Sequence, residues 1–141
     1  MSAELEFYKI HTEQSRHLEV QRSTIAGIGA AVSGVIVGEL LKRSPLSKAD
    51  LPYSITLMFV GLITLLFSGK LFERMKLHNE IARLARNKLD PSLASFRAQA
   101  EATIRKKYPI LFWLPLHTLW NCFFGAICVL GIALTTRIVF W

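Results

Sequence analysis

Residues 51–90 read LPYSITLMFVGLITLLFSGKLFERMKLHNEIARLARNKLD. The stretch has two halves. Leu51–Gly69 is 19 residues without a charge, whereas the next 21 carry six basic side chains and three acidic ones, Glu73, Glu80 and Asp90. A helix needs about 20 apolar residues to cross about 30 Å of hydrocarbon. The first half therefore predicts a membrane span, and Lys70 marks where the chain leaves the bilayer.

Two further runs behave alike. Ser23–Gly38 has no charge over 16 residues and is extended by Leu40 and Leu41 past a single acid, Glu39; Ile110–Thr136 has none over 27 residues. A soluble chain of 141 residues rarely carries such runs, and 52 % of this one is hydrophobic. The expected fold is an all-α integral membrane protein, a single membrane domain with three transmembrane helices over 23–41, 51–69 and 110–136. An N-terminal amphipathic helix over 1–22, with Phe7, Ile10 and Leu18 as a weak apolar stripe, leads into the first span. No short basic segment precedes that span, so it predicts a signal-anchor rather than a cleaved leader.

Topology follows from the basic residues. Lys9, Arg16 and Arg22 precede the first span, and ten Lys/Arg lie in the connection 70–109, so thirteen share one side. Lys42, Arg43, Lys48 and Arg137 lie opposite. The side richer in Lys and Arg faces the cytoplasm, which puts the N-terminus inside and the C-terminus outside in a multi-pass protein.

The connection 70–109 predicts a basic cytoplasmic helical hairpin. Leu71, Met75, Ile81, Ala82, Ala85 and Leu89 mark its first helix. Asp90-Pro91 gives a stop and a restart, with Asp90 as cap and Pro91 in the first position of the next helix. Leu93, Phe96, Ala100, Ile104 and Tyr108 mark the second. Ten basic and four acidic side chains leave this connection a net +6. Lys70 and Arg105–Lys107 suit the anionic bilayer surface. Arg86, about 25 Å past Gly69 along a straight helix, is beyond the reach of that surface through a screening length of about 8 Å. Arg83 and Arg86 are three apart on one helix side, and a planar guanidinium fits phosphate. Repeated around a cyclic oligomer, Arg83 and Arg86 thus form a candidate ring for a phosphodiester ligand at the hairpin tip, against a reading in which they are solvated or paired between subunits. Aromatic residues are too few here for single strands to bind by stacking.

Within the spans, Ala26, Ala30, Gly34 and Gly38 place a small residue at every fourth position of the first. Such a ridge lets helix backbones approach closely in lipid; the partner helix, from this chain or another, stays open. Glu39 reads either as an interfacial ion pair with Lys42 and Arg43 or as a residue of a pore or gate. His117 and Asn121, four apart, read either as a helix–helix hydrogen bond or as polar lining. Cys122 and Cys128 sit on one helix, six apart and pointing differently, which excludes a disulfide between them.

Enzyme chemistry is not expected. The four histidines are scattered without Cys or carboxylate at metal spacing, and no phosphate-binding or dinucleotide-binding glycine loop, nucleophile elbow or cofactor motif is present.

A short N-terminal helix with Tyr8 and Arg16, two closely joined spans, and then KLFERMKLHNEIARLARNKLD at 70–90 resemble the SLATT-type membrane effectors of bacterial immune systems over roughly residues 5–90. That resemblance implies a small homo-oligomeric, cyclic channel that depolarises or permeabilises the inner membrane. It also implies control by an anionic nucleotide or oligonucleotide made by a partner nucleotidyltransferase, with Arg83, Arg86 and Lys88 as the first contacts and Arg74, Lys76 and Arg97 in support. The third span departs from the usual two-span pattern. Two other readings stay open, a holin-like phage membrane protein and a non-channel scaffold or accessory subunit. Neighbouring genes for a nucleotidyltransferase, an endolysin or a larger membrane enzyme would separate the three.

Overall fold

The computed structural model describes residues 3–43, 45–90, 92–108 and 116–140, without the side chains of 92–94, 96 and 97. Four α-helices account for nearly all of them: α1 (Ala3–Lys42), α2 (Leu51–Leu89), α3 (Ser92–Lys107) and α4 (Leu116–Phe140). A single 3-10 turn, Lys48–Asp50, precedes α2. No strand occurs among the described residues. Three of the helices are long and apolar enough to cross a membrane.

Residues 3–22 are not a separate element but the first half of α1, which runs unbroken for 40 residues. No Gly or Pro interrupts the chain before Gly27, so nothing breaks the hydrogen-bond ladder where the polar part meets the apolar part. The same holds for α2, whose 39 residues continue through Gly69. The Asp90 amide donates to the Arg86 carbonyl at 3.0 Å and closes α2. The following helix begins at Ser92; Pro91, expected in its first position, lies outside the described residues, as do the side chains of Leu93 and Phe96. The described part of the third apolar run is helical from Leu116, four residues past the expected end at Thr136, to Phe140. Residues 110–115 and the flanking Trp113 and Trp141 also lie outside the described residues.

The chain divides into two compact units. One comprises Met1–Gln21 with Lys70–Leu116, the other Arg22–Gly69 with His117–Trp141.

The second unit holds the apolar parts of α1, α2 and α4. Its core is Ala26, Ile36, Leu40, Leu57, Phe124 and Ile127, and Ala30, Leu65, Trp120 and Leu134 are among the residues packed against it. Phe124 is fully buried, with its ring stacked on Trp120 at 5.8 Å between centroids. Two of the polar side chains inside are tied to the backbone and to one another. The Ser54 hydroxyl donates to the Leu51 carbonyl at 3.0 Å, and Thr135 Oγ1 lies 3.0 Å from Ser54 Oγ. Between α1 and α2, the carboxylate of the buried Asp50 accepts from the Ser47 amide at 2.9 Å and faces Arg43 at 3.5 Å. The Arg43 guanidinium in turn reaches the Tyr53 hydroxyl at 3.1 Å.

In the first unit the polar part of α1 lies along the polar part of α2. Ala82 and Ala85 are the buried apolar contacts, and two polar pairs bridge the helices. Ser15 donates to Asn79 Oδ1 at 2.7 Å. His11 Nδ1 and His78 Nδ1 are 2.8 Å apart, with the rings stacked at 5.1 Å and Phe7 edge-on to His11 at 4.4 Å. Every α3 side chain described is exposed.

Candidate functional site

Five of the six basic residues singled out for an anion lie on α2, and helix geometry sorts them. At about 100° per residue, Lys76 and Arg83 point within about 20° of one another, and Arg86 lies about 60° further round. Arg74 and Lys88 fall on the far side. Arg97 is on α3, and its side chain lies outside the described residues. The structure therefore brings together three of the six, in a column about 15 Å long on one side of α2.

Each of the three has a different environment. Arg83 pairs with Glu80 one turn earlier, both about half exposed. Such a surface pair contributes about 0–1 kcal/mol, so it competes weakly with a phosphate. Lys76 lies with its ammonium 5.0 Å from the Phe72 ring centroid, a cation–π contact that positions the side chain without neutralising it. Arg86 is half-buried, at the border of the Ala82–Ala85 contact. Its Nη2 donates to Asn87 Oδ1 at 3.4 Å, and its Nε is buried with no acceptor. A buried donor left unmatched costs about 1–3 kcal/mol; an anion supplying that acceptor would recover part of the cost.

Lys88 belongs elsewhere. With Glu4 and Phe7 of α1 and Ile81, Leu84 and Ala85 of α2 it lines an open groove of about 410 Å³. The Arg74 side chain is exposed.

The small residues of α1 also divide. Ala26 is buried in the core and Ala30 packs against it. A Cβ added at Gly34 or Gly38 would meet no atom within 4 Å. The tight glycines are others: a Cβ at Gly29 would lie 2.9 Å from Thr64 Cγ2, at Gly61 2.7 Å from the Cys128 amide nitrogen, and at Gly131 2.5 Å from that of Met58. Spacing within one helix does not reveal these three, because each owes its tightness to a helix other than its own.

Among the polar residues of the spans, Glu39 Oε1 is 2.8 Å from Lys42 Nζ, both exposed, while Arg43 turns to Asp50. His117 is half-buried, its Nε2 3.4 Å from Thr118 Oγ1, and Asn121 is half-buried. The Ser33 hydroxyl is buried without a partner. Cys122 is exposed and Cys128 half-buried. Among the described residues no group of three His, Cys, Asp or Glu converges as a metal site would require.

The His11–His78 pair is invisible in the sequence, where the two residues stand 67 apart. No protein-family model, no curated protein and no solved structure matches the chain.

Proposed function

We propose that the protein is a homo-oligomeric, cyclic membrane channel of the inner membrane, an effector of SLATT type controlled by a nucleotide or oligonucleotide at the Lys76–Arg83–Arg86 column. Its N-terminus and the basic hairpin of α2 and α3 face the cytoplasm, where such a ligand is made.

The observation that carries this reading is the continuity of α2. Leu51–Leu89 is one helix, with the apolar span at one end and the basic column at the other. No loop intervenes between ligand contacts on this helix and the span, and a ligand shifts a channel only through differential contact with its open and closed states. Two further features support an assembly. Only 22–28 % of the most apolar 18-residue window in each long helix is buried within the chain, so lipid or further copies cover the rest. Gly34 and Gly38 leave a backbone ridge open for close approach by another helix.

The test is ion flux through liposomes holding the purified protein, with and without a panel of cyclic and linear oligonucleotides. Flux that one nucleotide raises or lowers is expected, and that response should fall at least tenfold in Arg83→Glu/Arg86→Glu. A response unchanged in this variant removes the column as receptor. No flux under any condition from inserted, folded protein removes the channel and favours a scaffold.

A further inference from the structure

The second unit has a groove of its own, beside the connection between α1 and α2. Val37, Leu40 and Leu41 of α1 and Leu130 and Leu134 of α4 line about 320 Å³ of open space together with Arg137. A second hollow of about 290 Å³ shares Pro45, Leu46 and Arg137 with the first and adds Lys48. One surface thus runs from an apolar groove between two spans to a pair of cations. No acid lines either part.

The charges of this unit do not balance. Over Arg22–Gly69 and His117–Trp141 the chain has two acids, Glu39 and Asp50. Both are taken, Glu39 by Lys42 at 2.8 Å and Asp50 by Arg43 at 3.5 Å. Lys48 and Arg137 are exposed, and neither has an ion-pair partner among the described residues. They stand where α1 and α4 end their apolar runs, at the level of lipid headgroups.

That surplus decides the occupant. A neighbouring copy supplies apolar side chains, but its own spans carry no spare acid to set against Lys48 and Arg137. A zwitterionic lipid brings a cation along with its phosphate. A lipid of net negative headgroup supplies an acyl chain and an uncompensated phosphodiester. The chain alone gains little, since the bilayer is as apolar as the groove. Selectivity comes from the headgroup, whose phosphate oxygens match the guanidinium fork.

We propose that the α1–α4 groove binds one anionic phospholipid, with an acyl chain along Val37, Leu41 and Leu130 and the phosphodiester on Arg137 and Lys48. The site shares no residue with the Lys76–Arg83–Arg86 column. It requires the three helices to lie in a bilayer, but neither a channel nor a nucleotide.

The experiment is native mass spectrometry of the full chain in detergent with equal amounts of phosphatidylglycerol and phosphatidylcholine of identical acyl chains. A cation beside a lipid phosphate is worth about fivefold in affinity, so two give a preference of roughly 25-fold for one phosphatidylglycerol per chain. Arg137→Gln should cut that preference about fivefold, and Arg137→Lys should restore most of it. Lys48→Gln, in the turn outside the long helices, should act like Arg137→Gln. Leu41 is 75 % exposed, so Leu41→Trp fills the groove without disturbing the core and should also release phosphatidylglycerol. Equal retention of the two lipids would overturn the proposal. A loss in Arg137→Gln with none in Leu41→Trp would reduce the site to surface attraction and overturn the groove as its seat. A lipid-free dimer that Leu41→Trp dissociates would assign the groove to a second copy instead.

Discussion

A methyl group at Gly131 would lie 2.5 Å from the Met58 amide nitrogen and 2.7 Å from its Cα, both backbone atoms that cannot swing aside. Gly131→Ala should therefore push α4 from α2 and cost about 1–3 kcal/mol, the usual range for overpacking, read as earlier unfolding in a denaturing-detergent titration. Gly34→Ala, with open space around it, should leave the unfolding midpoint of the single chain unchanged or raise it, since Ala is the better helix former by about 1 kcal/mol. Any loss it causes should appear in oligomer size. A small-residue ridge was legible because it repeats along one helix. The tight contacts were not, because Gly29, Gly61 and Gly131 each need a partner helix to acquire meaning. Asp50 gives a second test. The Ser47 amide, foremost, then the Ser47 hydroxyl and Arg43, hold its carboxyl below the ordinary carboxylate range against the opposing effect of burial. A value lower in the folded chain means that the ionised form is favoured by folding. The stabilisation is complete above the unfolded value, about 3.9, and is lost as pH falls through the folded one. Thermal unfolding should show wild type ahead of Asp50→Asn at neutral pH, with the gap closing on acidification below about pH 4; a gap independent of pH would deny the role.

The helices α1 and α2 join what the sequence separates by polarity. Composition changes sharply at Ser23 and at Lys70, but the sequence offers no helix breaker at either. Backbone continuity obeys a different rule, the absence of a breaking residue, and both helices pass through these borders. In the first unit the α1–α2 contact buries Ala82 and Ala85, a small apolar area, so the Ser15–Asn79 and His11–His78 bridges set which residues oppose one another. Ser15→Ala should cost about 1 kcal/mol, the net value of a part-buried hydrogen bond, and Asn79→Ala about the same. The double variant should cost no more than either alone if the two act only on each other. Fully additive losses would show that the bridge is not the source of the effect. This ladder was beyond sequence reasoning, since its partners stand more than 60 residues apart on helices whose pairing no periodicity reports.

The presence of three apolar helices was the most legible feature of the chain, because a charge-free run of span length has few other uses. The basic connection was legible too. Its geometry was not: Lys76, Arg83 and Arg86 share a side of α2, Lys88 lines an apolar groove, and a one-dimensional count of charges cannot tell the two apart. The account depends on three spans with the N-terminus and residues 70–108 on the cytoplasmic face, because a nucleotide meets the basic column only there. The most direct measurement is labelling by a membrane-impermeant maleimide in intact cells and in inverted vesicles. Single cysteines at Gln14, Lys48 and Ala98 would be placed in the Cys122→Ala/Cys128→Ala background. The account predicts that Lys48→Cys labels in intact cells, and that Gln14→Cys and Ala98→Cys label only in inverted vesicles. Labelling of Gln14→Cys or Ala98→Cys in intact cells would put the basic column outside and contradict the proposed nucleotide control.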